Sequence, residues 1–78
     1  MSAHKLRQDW IDAAKEDGRT SAIAARTYPH AAKFMTDRLD YLRSRWAGLV
    51  EQGTLITADI DTLAVAWWAG IDGARGDA

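Results

Sequence analysis

Residues 30–52, HAAKFMTDRLDYLRSRWAGLVEQ, constrain this chain more than any other stretch. Met35, Leu39, Leu42, Trp46 and Leu49 recur at alternating steps of four and three, the period of an α-helix. Ala31 or Ala32 extends the stripe one turn back, and Phe34, Tyr41 and Val50 widen it. Lys33, Asp37, Arg38, Asp40, Arg43, Ser44 and Arg45 fill the remaining directions, so one seam wants a partner and the rest tolerates water. A long helix cannot bury its own seam. The chain must therefore supply further helices, or a second copy of itself.

The flanking segments read as those helices. Leu6, Trp10, Ile11, Ala13 and Ala14 predict an amphipathic helix over residues 3–16, with Ser2 as N-cap and Gly18 as its stop. Thr20-Ser21 then reads as a second cap, opening a short Ala-rich helix to about Thr27. Pro29 ends that piece and suits the first turn of the long helix, with Thr27 or Tyr28 as cap. Gly53 marks the exit of the long helix, and Leu55 and Ile56 are expected to tuck against helix ends. Asp59 is the expected cap of a last helix, with Asp61 favourable in its first turn. Ile60, Leu63, Ala64, Trp67, Trp68 and Ile71 form its apolar side, Ala66, Ala69 and Gly70 leave its backbone bare for a close neighbour, and Gly73 and Gly76 end it. The expected fold is a single all-α domain over residues 1–78. It is a small bundle of two long and one or two shorter helices, completed by dimerisation into a four-helix interface.

Seventy-eight residues without cysteine exclude a disulfide scaffold and put the chain near the size where one core is marginal alone. The opening MSAHKLRQDW is too polar for a signal peptide, and no apolar run reaches membrane length, so a cytoplasmic protein is expected. A formal net charge of -1 argues against a chain whose main work is neutralising phosphates. Catalysis has little footing. His4 and His30 have no cysteine or acid at ligand spacing, Asp59 and Asp61 already have capping roles, and the RGD of Arg75 to Asp77 is a short match in a tail. No enzyme, cofactor or metal is expected. The aromatic load says more: Trp67 and Trp68 stand 100° apart on a helix and cannot both face one neighbour, so one of them points to a second partner. A subunit interface is one reading. A cavity walled by Phe34, Met35 and a tryptophan, open to a small apolar ligand, is the other.

The run YPHAAKFMTDRLDYLRSRWAGLVEQGTLITADIDTLAVAWWAGIDG, residues 28–73, resembles the C-terminal part of TetR-family transcriptional regulators. The resemblance is carried by Pro29-His30 entering the long helix, Gly53 with Leu55 at the turn, Asp59 with Asp61, and the Ala-rich helix from Leu63 to Ile71 before Asp72-Gly73. It implies a homodimer in which the last two helices of each subunit form a four-helix interface. Leu39, Leu42, Trp46, Leu49, Leu63, Trp67, Trp68 and Ile71 would be its contact residues, and the preceding helices would border an effector pocket. DNA would be reached only through a head domain absent from these residues. A rival of another class is a stand-alone helix-turn-helix protein: residues 10–35 read loosely as helix, turn, short helix, turn, helix, with Arg19, Arg26, His30, Lys33 and Arg38 facing phosphates.

Overall fold

The computed structural model describes residues 5–76. Among these there are three helices and no strand: α1 (Gln8–Ala25), α2 (Ala31–Glu51) and α3 (Thr57–Gly76). The all-α expectation holds, but the two short N-terminal helices are one. Gly18 does not stop α1, and Thr20 and Ser21 do not cap a second helix: Thr20 Oγ1 turns back to the Glu16 and Asp17 carbonyls, and the helix continues to Ala25. The physical reason is a stripe of small residues. Ala14, Gly18, Ser21 and Ala25 follow one another at helical steps, and all are buried. Gly18 is there because another backbone lies against it: a Cβ on Gly18 would sit 1.9 Å from the Trp67 carbonyl oxygen. Gly70 answers from the other side, where a Cβ would sit 1.9 Å from the Lys15 carbonyl oxygen.

These contacts fix the topology. Residues 15–19 of α1 lie beside 67–70 of α3, and farther along an Arg26 guanidinium N–H donates to the Ala74 carbonyl oxygen at 2.9 Å. The two helices therefore run in the same direction, with α2 returning between them in sequence. The small residues expected in the last helix do admit a close neighbour, and that neighbour is α1. Leu63, Trp67 and Ile71 are fully buried, each contributing about 1.5–3 kcal/mol by leaving water. Around Leu63, Ala64 and Ala66 gather Ala14 and Trp46, with Leu6, Trp10, Ile11, Leu39, Leu42 and Leu49 half-buried against them.

The helix ends follow local chemistry, with shifts. α1 begins at Gln8 after Arg7, later than residue 3, and the expected cap Ser2 and the candidate ligand His4 lie outside the described residues. Pro29 falls in the turn rather than in the first turn of α2. His30 is the N-cap and makes no side-chain cap bond. At the far end Gly53 takes φ 82°, the Gly53 N–H donates to Val50 O at 3.0 Å, and the Thr54 N–H donates to Leu49 O at 2.9 Å. That is the paired closure of a Schellman turn, and it carries Leu55 into the core while Ile56 stays exposed. Asp59 is not the N-cap of α3 but lies three residues past it, its Oδ2 accepting the Ile56 backbone N–H at 3.0 Å, the return half of a capping box. Nor do the glycines end order early, since α3 passes through Gly73 to Gly76. Asp77 of the RGD match lies outside the described residues.

The bundle measures 48 × 22 × 13 Å along its principal axes, with a radius of gyration of 13.5 Å. A spherical domain of this length would have a radius of gyration near 11.5 Å. The three helices form a slab.

Candidate functional site

The slab is pinned by one polar node. Asp17, one residue before the glycine contact, presents Oδ1 to Trp67 Nε1 at 3.0 Å, Ser21 Oγ at 3.1 Å and Arg38 Nε at 3.1 Å, all three donating, while Arg38 Nη2 pairs with Oδ2. One carboxylate thus ties all three helices. Burial pushes the Asp17 carboxyl up, but the Arg38 hydrogen bond, the Trp67 and Ser21 donors and the guanidinium charge outweigh it and hold the group below the usual aspartate value. The same bond raises the Arg38 guanidinium above its ordinary value. Arg38, counted in sequence among residues able to face phosphate, is instead paired with Asp17 at the half-buried edge of the bundle. Arg26 is engaged in part as well, through its bond to Ala74. Asp17 escaped the sequence reading. Its signal was the spacing of Asp17 and Ser21, one turn apart beside the small-residue stripe.

The residues expected at an interface divide into three groups. Trp46, Leu63, Trp67 and Ile71 are buried within a single chain. Leu39, Leu42 and Leu49 of α2 are half-buried, touching the core with one side. Trp68 is 47% exposed and sets its ring edge-on to Trp67, with centroids 5.1 Å apart. One tryptophan of the adjacent pair is inside and the other points away, as helical geometry requires. The outer side of α3 carries Asp61, Val65, Trp68 and Asp72 at steps of four and three, with Val65 70% exposed.

The two residues proposed to border a ligand do not share a hollow. Phe34 stacks at a tilt on Tyr28, centroids 4.8 Å apart, and lines a shallow depression of about 340 Å³ with Pro29, His30, Lys33 and Asp37. Met35 lines a separate groove of about 470 Å³, where the last turns of α1 and α3 meet the start of α2. Trp68 forms one wall of that groove, and Trp46 is in neither. Helix periodicity brings residues three or four apart to one face, and adjacent residues diverge, which is why Phe34 and Met35 part.

Among the described residues no group of three or more histidines, cysteines or acids is gathered as a metal site would need, and no helix is long and apolar enough to cross a membrane. The turn that a helix-turn-helix needs near Gly18 is also missing, since α1 is continuous there. Compared with known proteins, the chain matches no family model, no curated protein and no solved structure.

Proposed function

We propose that this chain is a dimerisation and ligand-responsive regulatory domain of a cytoplasmic transcriptional regulator resembling the TetR family. On this reading α2 and α3 pair with their counterparts in a second copy to complete a four-helix interface, and the chain is not an enzyme. Its role is to bring two subunits together and to let a small molecule bias how they sit. DNA contact belongs to a head domain outside these residues.

One observation supports the reading: the chain carries more surface than a compact monomer of its mass. The chain exposes 5412 Å², whereas a compact folded monomer of 8.6 kDa exposes about 4,700 Å². A standard interface takes roughly 800 Å² from each partner, so a second copy would cover surface of this order. The place to lose it is the outer side of α3, where Val65 and Trp68 offer apolar area between Asp61 and Asp72, next to the half-buried stripe of α2. Asp61 and Asp72 set against Arg43 or Arg45 of a second copy would favour one register, consistent with a basic long helix and an acidic last one.

Light scattering across a hundredfold range of concentration tests it. The chain is expected to hold twice its formula mass on dilution, and the double variant Val65→Asp, Trp68→Asp is expected to run as a monomer with unchanged helicity, since both side chains are exposed. A parent that is monomeric throughout, or a double variant that stays dimeric, overturns the assignment of this face.

A further inference from the structure

The groove at the joined ends of the three helices combines an apolar floor with charge of one sign. Ala25, Met35, Ile71 and the face of Trp68 supply the floor and walls. Arg26 and Arg75 stand at the rim, and no acidic side chain is among its lining residues. The nearest acid paired with either is Asp72, 3.9 Å from an Arg75 nitrogen, a loose contact between two side chains that are each more than 70% exposed. Arg26 uses one N–H on the Ala74 carbonyl, leaving other donors of its five. A further circumstance acts in the same sense: α2 enters the groove through Ala31 and Ala32, has no acid in its first turn and receives no side-chain cap, so its N–H end is unneutralised. The opposing carbonyl end of α3 is served by the Arg26 donor. A volume of about 470 Å³ is in the range that holds small molecules.

We infer that this groove binds an apolar molecule carrying a single carboxylate, its body against Met35, Trp68 and Ile71 and its head group between Arg26 and Arg75. Charge complementarity selects the class. A neutral apolar molecule would fill the floor and leave the remaining guanidinium donors to solvent, whereas a carboxylate takes a charge-assisted, two-pronged hydrogen bond from either arginine. A cation is repelled. The inference rests on the ligand-responsive part of the reading above; every lining residue belongs to one chain, and Trp68 alone is shared with the face assigned to the dimer.

Octanoate and octan-1-ol, equal in chain length and different in charge, are the probes. Titration calorimetry on the full chain is expected to show saturable octanoate binding at one site per chain, at least tenfold tighter than octan-1-ol. Arg75→Gln, an exposed change that leaves the Arg26 contact intact, is expected to lower octanoate affinity about tenfold and leave octan-1-ol unchanged. Thr36→Trp, which adds bulk from an exposed position in the lining, is expected to abolish binding of both, with the helical circular dichroism of the parent retained. No saturable octanoate heat, equal affinity for the two probes, or indifference to Arg75→Gln each overturns the proposal. The molar mass of the same samples separates the two readings: octanoate binding to a monomer sinks the dimer alone, and a dimer without octanoate binding sinks the ligand alone.

Discussion

Gly18→Ala and Gly48→Ala make the same chemical change in the interior of two helices, and the structure assigns them opposite signs. Intrinsic propensity favours alanine at both by about 1 kcal/mol. At Gly48 a Cβ meets nothing within 4 Å, so that gain is expected in full. At Gly18 the new carbon would lie 1.9 Å from the Trp67 carbonyl oxygen and 2.8 Å from its carbon. Ordinary contact begins near 3.4 Å, so α1 and α3 must part by about 1.5 Å, and because the obstacle is backbone no rotamer change relieves it. Overpacking costs about 1–3 kcal/mol, and a rigid obstacle belongs at the upper end. The same separation stretches the 3.0 Å bond from Trp67 Nε1 to Asp17, a hydrogen bond to a charged group contributing about 1.5–3 kcal/mol. Set against the propensity gain, Gly18→Ala is expected to destabilise by about 2–3 kcal/mol. Urea unfolding followed by circular dichroism, at one fixed chain concentration because association shifts apparent stability, reads both variants. A midpoint that rises for Gly48→Ala and falls for Gly18→Ala supports the packed α1–α3 crossing. If both rise, the helices are not in contact at Gly18 and the arrangement described here is wrong.

Two further outcomes follow from the node and the tryptophan pair. Because the Asp17 carboxyl is held below its ordinary value in the folded chain, it stabilises fully above the unfolded aspartate value near pH 4, and that contribution is lost as pH falls through the depressed folded value. Asp17→Asn should cost about 1–2 kcal/mol at pH 7 and flatten the acid side of the stability profile, where pH falls through and below the ordinary aspartate value, and an unchanged profile would show that the Arg38 pair does not form. Trp67→Ala should cost about 3–5 kcal/mol, enough to unfold so small a chain, whereas Trp68→Ala, at 47% exposure within one chain, should cost clearly less at the same chain concentration. Equal losses would mean that the two indoles share one environment.

Much of the fold was legible because it depends on short-range chemistry. The period of Met35, Leu39, Leu42, Trp46 and Leu49 identified α2 and its far end, although the helix starts two to three residues later than the Thr27 or Tyr28 cap implied, and Gly53 named its exit because a φ of 82° costs glycine nothing. The divergence of Trp67 and Trp68 was equally local, a matter of 100° per residue, although which of them is inside was not. Glycine misled at residue 18, since the same missing Cβ that suits a helix end also suits two backbones in contact, and nothing local separates the two uses. The spacing of Ala14, Gly18, Ser21 and Ala25 held the answer, but small residues carry little hydrophobic weight, and a periodicity of volume is quieter than one of polarity.

The candidate site lay further from view. The expected pair Phe34 and Met35 is parted by helix geometry. The groove instead draws on Ala25, Arg26, Met35, Trp68, Ile71 and Arg75, residues from all three helices and the turn after α1 that no local pattern connects. Helix formation, the turn at Gly53 and the presence of surplus aromatic surface depend on neighbours within about four residues, so the chain's order of amino acids determined them. The parallel course of α1 and α3, the joining of three helices on Asp17 and the pairing of Arg38 depend on contacts 21 to 50 residues apart, where direction and distance are set by which backbones can approach most closely. Those only the tertiary structure decided.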